Sequence, residues 1–171
     1  MTRDLVIGFL GKDQPGIVRH LSQVVSKHGG NWLQSQMVQL GGFFSGMAQV
    51  ECAQEDIEAM TQALQSIPDL TVNVLDPVQS DASADGARMH LNIVGPDRRG
   101  ILSEVMNELA AREVNVLQLE TSVAPAPMSG ELLFTADAEV QVPVKTNLAE
   151  LVEQLNMIGD NLGVDVLLEE D

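Results

Sequence analysis

Tyrosine is absent from this chain, and aromatic residues together make up only 3% of it. The stacking platforms that hold single-stranded nucleic acid are therefore missing. Basic residues are scarce as well, with 9 Lys+Arg against 25 Asp+Glu for a net charge of −16. Such a surface repels a phosphate backbone and argues against direct nucleic-acid binding. The single cysteine, Cys52, cannot form an internal disulfide and fits a reducing compartment. With His20, His28 and His90 it shows no ligand spacing of the CxxC or HxxxH kind, so neither metal nor cofactor is expected. No apolar run approaches the roughly 18–20 residues of a membrane span. Met1-Thr2-Arg3-Asp4 enters a short apolar stretch without a signal-cleavage site. The expectation is a cytoplasmic protein that does not engage membrane.

Hydrophobic residues fill 44% of the 171 positions, enough for a core in one large domain or two small ones. An internal repeat decides between them. Gly11-Lys12-Asp13-Gln14-Pro15-Gly16-Ile17-Val18 resembles Gly95-Pro96-Asp97-Arg98-Arg99-Gly100-Ile101-Leu102, an offset of 84 residues. The same offset lays Asn31-Trp32-Leu33-Gln34 on Asn115-Val116-Leu117-Gln118, and Ser45-Gly46 on Ser129-Gly130. Identities holding one register over such a span mark a duplication.

Each copy reads as strand, helix, strand, strand, helix, strand. Leu5–Leu10 is an apolar run of strand length, and Ile17, Val18, Leu21, Val24 and Val25 recur at helical spacing until Gly29-Gly30. Residues near 31–40 and 43–52 form a hairpin about Gly41-Gly42. Ile57, Met60, Leu64 and Ile67 mark a second helix, and Leu70, Val72 and Val74 alternate as a half-buried strand. Copy two repeats this as Met89–Val94, a helix from Ile101, strands near 115–124 and 130–142, a helix near 147–160, and Val164–Leu168. Its hairpin loop is longer, and about seven extra residues are expected around Asp137–Lys145. The units are expected at 1–77 and 88–171, with a linker at 78–87 rich in Ser, Asp and Ala. The fold class is α+β, two ferredoxin-like βαββαβ modules in tandem. Modules of this size leave apolar surface open, which packing together or pairing across chains into a homo-oligomer would cover.

Other bearers of this fold are excluded by their chemistry. RNA-recognition modules need aromatics on the central strands, and metal carriers need CxxC where Lys12-Asp13-Gln14-Pro15 stands. A phosphate-cradling loop with a positioned Arg fits Arg98 and Arg99 but finds Gln14 and Pro15 in copy one. What remains is G-x-D-x-x-G-[IV]-[VIL] at a strand-to-helix turn, with Asn about 15 residues beyond the second Gly. Through Asp13/Asp97, Gly16/Gly100, Ile17/Ile101 and Asn31/Asn115 the sequence resembles the ACT domain family, small-molecule and mostly amino-acid sensing modules. Two copies with no attached enzyme resemble the glycine cleavage system transcriptional repressor family, as does the run Ala126–Phe134. That resemblance implies a ligand at an interface between modules, touching the loop and the Asn.

The candidate ligand-binding residues are Asp13, Gln14, Pro15, Gly16, Ile17, Asn31 and Leu33, with Asp97, Arg98, Gly100, Ile101, Asn115 and Leu117. A helix N-terminus offers free N–H groups and partial positive charge to a carboxylate. Asn31 and Asn115 offer donor and acceptor to a zwitterion. Each residue also has a plainer reading. Asp13 and Asp97 suit helix caps, and Gly16 and Gly100 suit close helix–strand packing. Asn31 and Asn115 suit turns, while Ile17, Ile101, Leu33 and Leu117 suit the core. His20 and His28 read as solvated, and Cys52 as an inert small hydrophobe. Charge is uneven: residues 1–84 hold 4 Lys+Arg and 9 Asp+Glu (−5), and residues 85–171 hold 5 and 16 (−11). The acidic second half could dock a basic partner.

The resemblance implies a regulatory protein that senses a small amino acid, glycine first, and contacts a DNA-binding transcriptional activator without touching DNA. The alternative is an amino-acid-sensing subunit of a metabolic enzyme. A stand-alone enzyme is not expected, since no nucleophile–base pair, paired carboxylates or metal set recurs in either copy. Trp32 against Val116 and the changed loop charges imply that the copies do not bind alike.

Overall fold

The computed structural model describes residues 1–78 and 86–170. The chain divides into two compact units, with the division at about residue 79. In the first, β1 (Thr2–Lys12), α1 (Ile17–Lys27), β2 (Asn31–Leu40), β3 (Phe43–Ala53), α2 (Ile57–Gln65) and β4 (Leu70–Leu75) follow in order. In the second come β5 (Gly86–Pro96), α3 (Ile101–Ala111), β6 (Asn115–Pro125), β7 (Leu132–Pro143), α4 (Leu148–Leu162) and β8 (Asp165–Glu170). The sheets run β2-β3-β1-β4 and β6-β7-β5-β8, with every described pairing antiparallel. Each unit is thus ferredoxin-like. The linker expected at 78–87 lies mostly outside the described residues, and Gly86 and Ala87 stand within β5.

Alternation explains the layers. Leu5, Ile7 and Phe9 of β1 are buried against Ile17, Leu21 and Val25 of α1 and Met60 and Leu64 of α2. The spacing of those helical residues puts them on one stripe. Leu91, Ile93, Val105, Leu109, Leu151 and Leu155 build the second core the same way. Among the described residues, the helices of each unit pack on this one face of its own sheet. Phe9 and Phe44 add a tilted ring contact, with centroids 5.7 Å apart.

Two turns follow from glycine. Gly41 (φ +59°) and Gly42 (φ +83°) make a two-residue hairpin with both central residues left-handed. At the end of α1, Gly29 takes φ +69° while the Gly30 N–H donates to Val25 O at 2.9 Å. His28, expected in solvent, instead caps this end: its ring Nδ1 lies 2.8 Å from the Val24 carbonyl oxygen, half-buried. His20 is exposed.

The ladders correct the repeat alignment. Gly11 faces Phe44, and Gly95 faces Phe134, so past the hairpin the offset is 134 − 44 = 90. Ser45 therefore corresponds to Thr135, and Ser129-Gly130 belong to the hairpin loop between β6 and β7. The identity there was a coincidence of composition in a loop. Nor is there an insertion at Asp137–Lys145, because β7 keeps the register of β3 through that stretch. The extra length sits in the hairpin loop and in α4, with 15 residues against 9 in α2.

Candidate functional site

Each β1–α1 type loop is shaped by two glycines with different tasks. A β-carbon on Gly11 would lie 2.6 Å from the Asp69 carbonyl oxygen, and one on Gly95 would lie 2.6 Å from Val164 Cγ1. These glycines let the strand end press against the start of the module's last strand. Gly16 and Gly100 stand in open space, the nearest atom to a β-carbon on Gly100 being Glu104 Oε1 at 3.7 Å. They are needed for φ +98° and +96° and not for close packing.

The same geometry overturns the cap reading of the aspartates. Gly16 and Gly100 are the N-cap residues, and neither helix has a side-chain cap hydrogen bond. Asp13 and Asp97 lie too early to reach the first helical N–H groups. They anchor the loop through the main chain, Asp13 N–H donating to Gly42 O and Asp97 N–H to Leu132 O, both at 2.9 Å. Gly16 O accepts from His20 N–H at 2.9 Å, and Gly100 O from Glu104 N–H at 2.9 Å. The N–H groups of the preceding helical residues thus have no intrahelical acceptor and, with no side-chain cap, favour an anion at the loop mouth.

In the first module the loop separates two surface depressions. One is lined by Asp13, Gln14, Gly16, Ile17, Val18, Arg19 and Phe44, the other by Leu10, Lys12, Asp13, Gln14, Phe43, Asp69 and Thr71. Pro15 stands in the turn leading into Gly16, and Ile17 is 6% exposed, with Ile101 at 1%, so both are core residues at the helix start. Phe44, Asp69 and Thr71 had not been anticipated. The βαββαβ order could have found the last two, since it lays β4 beside β1.

The mouths of the two modules differ in one exchange. Gly8 faces Asn73 and Asn92 faces Leu167, which makes Asp69 and Gly163 equivalent. Both are left-handed, φ +60° and +69°. Asp69 lines the same depression as Gln14, whereas Gly163 leaves room for Arg98, whose Nη2 lies 3.1 Å from where a β-carbon would stand. Arg98 thereby sits over the C-terminal end of α4, where a cation is favoured. Arg99 is exposed.

The second half of the candidate set stands elsewhere. Asn31 and Asn115 are the exposed first residues of β2 and β6, paired with Glu51 and Gln141. The loop end of β1 faces Phe43, eight residues earlier on β3, or roughly 25 Å at the rise of a strand. Within one module the loop and the Asn do not meet. Leu33 and Leu117, read as core, are 45% and 37% exposed. Each sits at a β-bulge, between Trp32 and Gln34 and between Val116 and Gln118. The extra residue turns out of the ladder, leaving Trp32 and Val116 to pack on the core.

Cys52 is 1% exposed and its Sγ contacts His28 O at 3.7 Å. Burial pushes its thiol pKa up, and the Asp56 charge adds to this. Among the described residues no group of three or more His, Cys, Asp or Glu could hold a metal ion, and no helix is long and apolar enough to cross a membrane.

Fold and loops define a pair of ferredoxin-like modules, each with an uncapped helix N-terminus behind a Gly-x-Asp-x-x-Gly turn. A family model for the ACT domain matches residues 3–74 and again 88–161, so the chain belongs to the ACT domain family as a tandem pair. An unknown protein from Galdieria sulphuraria has a similar structure, with TM-score 0.90 and 31% identity over 100% of this chain and 99% of that one. A solved candidate glycine cleavage system transcriptional repressor shares the fold, with TM-score 0.68 and 19% identity over 100% and 99% of the two chains. No curated protein matches the chain.

Proposed function

We propose that this protein is an amino-acid-sensing regulator of the glycine cleavage repressor kind. It binds a small amino acid, glycine first, and acts on transcription by contacting a DNA-binding activator. The observation that carries this reading is the duplicated loop whose helix N-terminus has no side-chain cap. A ligand carboxylate satisfies those N–H groups. Because the Asn lies at the other end of its own sheet, the amino group is held by the Asn of a neighbouring module. A site shared between modules gives the ligand differential affinity for their arrangements, which is the physical requirement for control. A ligand that prefers the partner-free arrangement releases the partner, and the partner weakens ligand binding by the same factor. The candidate repressor of similar fold supports the transcriptional side, and the net charge of −16 supports action through protein, not DNA.

The mouths imply unequal ligands. Arg98 and Arg99 favour a carboxylate at the second module, whereas Asp69, which lines the loop depression of the first, favours a ligand ammonium group there. Calorimetric titration with glycine, serine and valine tests the reading, and silence across all three overturns it. Asn31→Ala and Asn115→Ala should each weaken binding by about tenfold, the worth of one or two hydrogen bonds. Unchanged affinity in both variants removes the Asn from the site. Capture from a lysate should recover a DNA-binding protein, and recovery of a metabolic enzyme alone would favour the subunit reading.

A further inference from the structure

On the β4 side of the first module's loop, a depression of about 740 Å³ is lined by charges of both signs. Lys12 supplies the cation, Asp13 and Asp69 the carboxylates, and the exposed side chains of Leu10 and Phe43 an apolar patch. Small-molecule sites span roughly 300–1,000 Å³, so the space suits such a ligand. None of the three charged groups enters an ion pair among the described residues. Opposite charges that line one depression without pairing leave both open to a ligand.

The backbone sets the walls. Asp13 N–H donates to Gly42 O at 2.9 Å, which ties the loop to the hairpin turn beside Phe43. Lys12 faces Phe43 on one side of β1, and Leu10 faces Thr71 on the other. The close approach at Gly11 fixes Asp69 against the same strand end. Asp69 holds φ +60°, a conformation that strains an L-residue and that glycine takes freely. The second module has Gly163 there, and Pro96 where Lys12 stands. Lys12 and Asp69 therefore belong to the first module alone.

We infer that this depression binds one α-amino acid with an aliphatic side chain, in a site complete within the first module. The ligand carboxylate pairs with Lys12, its ammonium group with Asp69, and its side chain lies on Leu10 and Phe43. A plain acid leaves Asp69 without a partner, and a plain amine leaves Lys12 without one. The order β2-β3-β1-β4 separates this site from the loop–Asn site, because Asp69 leads into β4 at one edge and Asn31 opens β2 at the other. The assignment rests on the amino-acid-sensing reading, but it needs neither Asn31 nor a neighbouring module.

Titration of the full chain with valine, followed at the Thr71 amide by NMR, tests the site. The Thr71 signal should shift and saturate. Isovalerate and isobutylamine, each lacking one of the two charges, should bind about tenfold more weakly. Lys12→Gln and Asp69→Asn should each weaken valine by about tenfold, the worth of one charge-assisted hydrogen bond. Asparagine tolerates left-handed backbone, so the fold should persist, with the urea midpoint as the check. Asn31→Ala should leave the constant read at Thr71 unchanged. The site is overturned if isovalerate or isobutylamine binds as tightly as valine, or if either variant at Lys12 or Asp69 binds valine like the wild type. Amino-acid binding in the calorimeter with no response at Thr71, or a response lost in Asn31→Ala, overturns this site and leaves the sensing reading standing. Silence in both measurements overturns the two together.

Discussion

At the residue scale, Gly16 illustrates a demand that no contact reveals. A β-carbon there would touch nothing within 4 Å, yet the backbone holds φ +98°. Gly16→Ala should therefore cost about 1–2 kcal/mol, the penalty of left-handed backbone for an L-residue, read from urea unfolding. Gly11→Ala should cost more, about 3 kcal/mol at the upper end of overpacking, because its methyl meets backbone at Asp69. Cys52 makes a second case. Its pKa is raised in the fold, so the native state favours the neutral thiol, and the resulting stability is full below the ordinary thiol value. Stability should then fall as pH rises towards the raised value, and Cys52→Ala should remove that slope in unfolding curves at increasing pH. The aspartates show why residue-level reading stops short. Asp13 has the right type for a cap, but α1 begins at Ile17, and capping depends on the residue directly before the helix.

At the element scale, most of the architecture was legible. Ile17, Leu21 and Val25 recur at the period of a helix, Leu70, Val72 and Val74 alternate, and Gly41-Gly42 demands a tight hairpin. Insertions were harder to place, since a two-residue identity at Ser129-Gly130 cannot say which strand residue faces which. Only the ladder fixes that, and it puts the added length in the β6–β7 loop and α4. The bulges at Leu33 and Leu117 were invisible for the same reason, being properties of pairing and not of composition. Replacing residues 126–131 with Gly-Gly should keep the fold, since a shorter loop lowers closure entropy slightly. Circular dichroism and the urea midpoint should change little, whereas loss of the β6–β7 ladder would show that the loop sets its register.

At the scale of the whole molecule, each module has its own core and its own sheet. Leu91→Ala, at 1% exposure, should destabilise the second module by about 2–5 kcal/mol and leave the first module's amides protected in hydrogen exchange. Equal loss in both modules would show that they unfold as one. The charge difference of −5 and −11 was legible from the start, but its placement was not. The ladders put five of the 16 carboxylates in residues 85–171, namely Glu120, Asp137, Glu139, Asp165 and Glu169, on one sheet face.

The strand order has a consequence for how the protein is made. β1 lies between β3 and β4, and β5 between β7 and β8. The first strand to leave the ribosome in each module must wait, with one edge bare, for the last. The first module closes once β4 emerges, while the second is still being synthesised. The second closes only with β8, Asp165–Glu170, so premature termination near that point would leave a finished first module tethered to a sheet with an open central strand. Such a chain exposes a template for unwanted strand pairing, so the solubility of the product turns on the codons for Asp165–Glu170.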